Sequence, residues 1–295
     1  KNKVDTFYFN AARKPDLVNF DGNKILLCTK KENKTLDEYI HQYKYAGSYL
    51  DRREAIDFAS KKQDDPKAVE FLKTALKDKY DGLRNFTINR LDLKKDKIKE
   101  AAEPVLLDLA KNDSKRLVKA NAIEKLGEFQ NPAYATLFRM AINDSSYTVA
   151  GNALEALAEI DSVAALNEAK RLAKENTKGN LADAITTIMI ASGDESSADM
   201  ILSSFEKMPL SQRKFTLVQS IASFLAKTSN MDIVKRGVDD IVTFRDAIPE
   251  AFKGQTDGPI NGILKNIGTK KKEARLTEQA EYIKSKLPEE DKKGF

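Results

Sequence analysis

The 295-residue chain is 41% hydrophobic and 32% charged, and its 50 basic residues against 45 acidic ones leave a net charge of +5. The two signs are interleaved, so the one-sided basic face of a nucleic-acid binder is missing, and no apolar run approaches the roughly 20 residues of a membrane helix. One cysteine, Cys28, and one histidine, His41, exclude an internal disulfide, a thiolate zinc cluster and a two-histidine HExxH site.

The chain begins Lys1-Asn2-Lys3-Val4 without an apolar leader, which reads as a piece of something longer. Its first 33 residues read as a short β segment, the end of a β module or a flap. "VDTFYF" (Val4 to Phe9), "DLVNF" (Asp16 to Phe20) and "KILLCT" (Lys24 to Thr29) have strand length and composition. Asp21-Gly22-Asn23 between the last two is a hairpin signal, since Gly supplies a positive φ without a Cβ clash.

Residues 34–295 read as helical repeats. Thr35 and Glu38 form the Thr-x-x-Glu pattern of a capping box. Beyond it, helices of 10 to 15 residues alternate with polar breaks at Asp64-Asp65-Pro66, Asn131-Pro132, Gly179-Asn180, Ser192-Gly193-Asp194 and Met208-Pro209. Two stretches, "NDSKRLVKANAIEKLGEF" from Asn112 and "NDSSYTVAGNALEALAEI" from Asn143, agree at nine of eighteen positions with an offset of 31. Leu117, Val118, Ala122, Leu126 and Phe129 form an apolar stripe in the first copy, and Val149, Ala153, Leu157 and Ile160 in the second. Asn-Asp-Ser ahead of each supplies capping oxygens. Ala122, Ala153 and Ala184 are spaced by 31, where small residues let helices approach closely. A lone helix pair leaves an apolar face bare, and stacking pairs covers it.

This pattern resembles the short HEAT-type repeat, which implies a mainly α fold: an α-α superhelix of HEAT-like helix pairs behind the short β segment. Family copies carry Arg directly after the Val. Lys119 and Ala150 stand there, which leaves the Asp–Arg ladder open, while Arg52 holds that slot in the first copy. Between Phe7 and Asp65, "KPDLVNFD" followed by "KTLDEYIHQYKYAGSYLDRREAIDFASKKQDD" resembles the region behind the catalytic domain of gluzincin, aminopeptidase N-type zinc aminopeptidases. The resemblance implies a non-catalytic C-terminal helical domain that encloses the active-site chamber and shapes peptide access. Its implied partners are the catalytic domain of the same polypeptide and peptide substrates. Zinc is implied for the parent alone; this chain has no HExxH and offers no catalytic, cofactor or metal residue. The alternative is a stand-alone scaffold for protein–protein interaction. No nucleic acid and no membrane span enters either reading, and the compartment stays open between cytoplasm and bacterial periplasm or envelope.

The candidate contact residues are Tyr43, Tyr45, Tyr49, Arg52 and Arg53. A tyrosine-rich, basic edge offers broad contact area with polar tips. The same residues suit, and more simply, the packing of a first helix onto the β module, and His41 among them reads as a packing or surface residue. Lys270-Lys271-Lys272 reads as a solvated helix start, and Asp239-Asp240 and Glu289-Glu290-Asp291 as solvated charge. Gly254 to Gly268, with four glycines, reads as a loop and a short helix.

Overall fold

The structure, a computed structural model, describes residues 6–293. Fifteen α-helices lie among them: α1 Leu36–Tyr45, α2 Tyr49–Ser60, α3 Pro66–Ala75, α4 Asp81–Ile88, α5 Asp96–Asn112, α6 Arg116–Gly127, α7 Ala135–Ala141, α8 Tyr147–Ile160, α9 Ser162–Leu172, α10 Gly179–Ser192, α11 Ala198–Lys207, α12 Gln212–Lys227, α13 Met231–Asp246, α14 Glu250–Glu273 and α15 Thr277–Ser285. The chain forms two compact units, Lys1–Leu137 and Phe138–Phe295.

In the first unit α1 packs on α2, α2 on α3 and α5 on α6. Ile56, Leu72, Leu83, Leu106 and Ile123 are its fully buried core. The capping box forms as expected: Thr35 N–H donates to Glu38 Oε2 at 2.6 Å, and Glu38 N–H to Thr35 Oγ1 at 3.3 Å. Val118, Ala122 and Leu126 are fully buried. Leu117 is 54% exposed and lies outside the buried stripe. The caps also differ from expectation. The N-cap residues, Lys115 and Ser146, make no side-chain cap bond; instead the aspartate of each triplet accepts the N–H two residues on, Lys115 to Asp113 at 2.8 Å and, in the second unit, Ser146 to Asp144 at 2.9 Å.

The expected β segment is absent: no strand occurs among the described residues. Val4 and Asp5 of the first expected strand lie outside them. The Asp21 turn does form, with Lys24 N–H donating to Asp21 O at 2.8 Å, but positive φ falls on Asp21 and Lys24 rather than on Gly22. The Asp21 carboxylate then accepts the N–H groups of Ile25 (3.0 Å) and Leu26 (2.9 Å). A hairpin would have given such donors to a facing strand, so pairing is replaced by a local side-chain contact.

This extended segment is pinned to α1 and α2 by polar contacts. Asp51, with a side chain 1% exposed, accepts from Asn19 at 3.0 Å and Ser48 at 2.7 Å and pairs with Lys24 at 2.8 Å. Burial pushes the Asp51 carboxyl up, but hydrogen bonds from Lys24, Ser48 and Asn19 outweigh it and hold it below its ordinary value. Lys30 pairs with Glu54 at 2.9 Å, and Lys34 donates to Gln42 at 2.7 Å. Asp51→Ala strips three partners from one carboxylate, a loss of about 1.4 kcal/mol or more that amounts to tenfold or greater local opening. Trypsin should then cut at Lys24, Lys30 and Lys34 at least about tenfold faster than in the parent, with the helices unaffected; unchanged cleavage would refute the pin.

In the second unit α8 packs on α9 and α10, α12 on α13 and α14, and α14 on α15. Ala153 and Ala184 are fully buried, in keeping with the 31-residue spacing. α8 and α10 come close at Gly151, where a Cβ would lie 2.7 Å from the Asn180 backbone. Asn180 Nδ2 donates to Asn152 Oδ1 at 2.5 Å beside it. Gly151→Ala should therefore lower stability by about 1–3 kcal/mol despite alanine's better helix propensity, through overpacking against backbone that cannot rotate away. The urea midpoint reads this directly.

Three further expectations are corrected here. Gly254 to Gly268 lies inside the continuous helix α14, with Pro259 in its interior. Lys270, Lys271 and Lys272 form the last turn of that helix rather than a start, and Lys271 is fully buried. Its ammonium donates to the Thr228 carbonyl, and Glu195 nearby accepts from the Thr228 hydroxyl and, at 2.8 Å, from Ser229 N–H. Burial pushes the Lys271 amine down to about 8, with Glu195 opposing. Asp239 accepts from Tyr282 at 2.7 Å and pairs with Lys286 at 2.6 Å, while Asp291 accepts from Asn261 at 2.9 Å, so neither is merely solvated.

Candidate functional site

Asp78 organises a polar site in the first unit. After α3 ends at Ala75, Lys77 N–H bonds Thr74 O and Asp78 N–H bonds Ala75 O, a tight turn that swings Asp78 inward beneath Lys77 and Lys79. The Asp78 side chain is 1% exposed. It accepts Arg52 NH1 at 2.6 and 2.7 Å, the Tyr43 hydroxyl at 2.6 Å and the Tyr80 N–H at 2.8 Å. Arg52 comes from the fourth residue of α2 and Tyr43 from α1, where its ring meets the Phe71 edge at 4.9 Å. Burial and then the bond to Asp78 push the Tyr43 phenol above its ordinary range, so it remains a donor. Arg52 Nε is buried with no acceptor.

A second rung repeats this design. Arg84, the fourth residue of α4, donates through Nε to Asp113 at 2.8 Å and through NH2 at 2.9 Å, a bidentate pair. The fourth residues of α6 and α8 are Lys119 and Ala150. The ladder left open by the sequence thus exists at α2 and α4, the two helices with arginine in the slot.

An open cleft of about 510 Å³ adjoins the first rung. Five basic side chains, Lys44, Arg52, Lys73, Lys77 and Lys79, and two acidic ones, Glu70 and Asp78, line it with Tyr43, Gly47 and Thr74. Asp78 is consumed by Arg52 and Tyr43, and Glu70 stands 3.4 Å from Lys73. Lys44, Lys77 and Lys79 form no ion pair among the described residues.

The structure brings Tyr43 and Arg52 together and separates the other candidates from them. Tyr45 is 64% exposed and lies 4.4 Å from the His41 ring. Tyr49 is half-exposed, edge-on to Tyr80 at 5.5 Å. Arg53 shares the Phe86 ring with Arg90 and lines a different cleft, of about 460 Å³, with Lys30, Tyr39 and Phe58. Sequence reading missed Asp78 and the lysines of "KTALKDKY". The available signal was an aspartate two residues before the N-cap-to-helix junction in successive copies, at Asp78, Asp113 and Asp144. Among the described residues no group of three His, Cys, Asp or Glu could hold a metal ion. No helix among them is long and apolar enough to cross a membrane.

A family model described as HEAT repeats matches residues 103–189. Among solved structures, the chain is similar to the complex of CpcE and CpcF of phycocyanin lyase from Nostoc sp., at 14% identity and a TM-score of 0.46, over 81% of this chain and 98% of that one. It is also similar to a designed armadillo repeat protein, at 14% identity and a TM-score of 0.33, over 88% of this chain and 100% of that one. The sequence has no match among curated proteins. None of these matches is an aminopeptidase. The helices of the described residues and the matched segment together show a HEAT-like helical-repeat domain in this chain.

Proposed function

We propose that this HEAT-like chain is a binding scaffold that holds a segment of a partner protein between its helices. The observation that carries the reading is the repeat itself: helix pairs covering one another's apolar faces leave open clefts beside them, of about 510 Å³ at the C-terminal ends of α1 and α3 and about 460 Å³ along α10 and α11. Such clefts take side chains of an extended partner at many points along a stack. Selection of random displayed peptides on the full chain tests it. Saturable binders that compete with one another at a common cleft are expected; selection that yields none sinks the reading.

One observation favours a more specific second reading. Phe7, Tyr8, Phe9, Ile25 and Leu27 are between 75% and 106% exposed. An apolar run of this kind calls for a cover. On this reading the preceding part of the same polypeptide supplies it, and residues 34–295 form the repeat domain. The whole would be the C-terminal domain of a gluzincin aminopeptidase, walling the chamber of a zinc-bearing catalytic domain in the same polypeptide and shaping peptide access. The Phe7–Asp65 sequence resemblance points the same way. The coding region ahead of Lys1 tests it: an HExxH with a downstream glutamate supports the assignment, and its absence removes it.

A further inference from the structure

We propose that the cleft at the C-terminal ends of α1 and α3 is the docking site for an acidic peptide segment of a partner protein. The inference rests on the scaffold reading and adds the chemistry of the partner.

Charge is the first argument. The cleft carries a net +3, and the two acidic groups within it are already engaged by Arg52, Tyr43 and Lys73. Helix C-termini attract cations, which accounts for Lys44 in the last turn of α1 and Lys73 in the last turn of α3. Two such helix ends contribute together about −1 charge, well short of the surplus. Lys77 and Lys79 lie beyond the last helical turn, both exposed and neither ion-paired among the described residues.

Rigidity is the second. The turn from Thr74 to Asp78 is held by two backbone hydrogen bonds, and Asp78 is locked from three sides. Lys77 and Lys79 therefore project from an anchored loop on either side of a buried residue, so less ordering cost falls on binding. The volume lies within the range of peptide and ligand pockets, and the Tyr43 ring gives it one amphipathic wall. The basic groups ring one cleft; a nucleic-acid backbone would ask for a longer stripe.

The test uses the full chain and a fluorescein-labelled decaglutamate peptide, with decaglutamine as the neutral counterpart, read by fluorescence anisotropy. Decaglutamate should bind saturably, at least about tenfold tighter than decaglutamine, and weaken as salt rises. Lys77→Glu with Lys79→Glu should weaken it at least tenfold, whereas Lys97→Glu, an exposed lysine outside the cleft, should leave it unchanged. Carbodiimide coupling in the unaltered protein should join peptide carboxylates to Lys44, Lys77 or Lys79. Equal binding of decaglutamine, equal loss in Lys97→Glu, crosslinks confined to other lysines, or equally tight binding of oligothymidylate would each overturn the proposal. If displayed peptides bind saturably while decaglutamate does not, the scaffold stands and the acidic partner falls; if neither binds, both fall.

Discussion

Asp78→Ala is expected to destabilise the first unit by about 3–5 kcal/mol, the cost of removing one partner from a buried ion pair. The reason is the number of groups left stranded. Arg52 keeps a guanidinium that is 11% exposed and has no other carboxylate, the Tyr43 hydroxyl loses its acceptor, and the Tyr80 N–H loses the oxygen that shapes the entry to α4. Urea unfolding followed by circular dichroism should show the loss in the transition that includes α1 to α4. Asp78→Asn retains acceptor geometry on one oxygen and drops the charge, so it should cost less than alanine. Adding Arg52→Ala to Asp78→Ala should recover part of the loss, because the stranded charge is then gone. A loss below about 1 kcal/mol for Asp78→Ala would show that the rung is not a structural anchor.

Raising the pH from 7 to 9.5 should stabilise the protein by about 2 kcal/mol relative to a Lys271→Met variant measured alongside it. The folded-state value near 8 lies below the 10.5 of the unfolded chain. Between those values the unfolded state holds the proton and the folded state has released it, so unfolding free energy rises with pH. Below about 8 both states are protonated, and the folded state bears the full cost of a buried ammonium with one carbonyl acceptor and a neighbouring carboxylate. Each pKa unit corresponds to about 1.4 kcal/mol, which sets the size of the change over this window. The neutral amine can still donate to the Thr228 carbonyl, so the hydrogen bond survives the titration. Subtracting the variant cancels every other titrating group. Parallel pH profiles for the two proteins would show that Lys271 reaches water in the folded state.

These two residues also mark the border between what was legible in the chain and what was not. Most helices and their breaks followed from features a few residues apart. A capping box links residues three apart, an apolar stripe recurs every three or four, and Thr35, Ala122, Ala153 and Ala184 all occupy the places those rules assign. The Asp21-Gly22-Asn23 turn was readable for the same reason, yet its expected hairpin was not made, because strand pairing needs a facing partner that local pattern cannot supply. Of the five candidate contact residues, Tyr43 and Arg52 met at Asp78 because α1, α2 and the turn after α3 converge there, a meeting of groups 26 to 35 residues apart.

Local spacing alone was enough to establish a mainly helical repeat chain, since hydrogen bonds and side-chain neighbours within a helix lie within four positions of each other. It could not distinguish Lys271 from Lys270 and Lys272, which look alike in a charged run. Which of them is buried depends on Thr228, 43 residues away, and on the packing of α12 and α14. Burial and charge pairing are properties of distant segments brought together, and for that reason the buried lysine, the locked aspartate and the lysine-rimmed cleft emerge only once the helices are stacked.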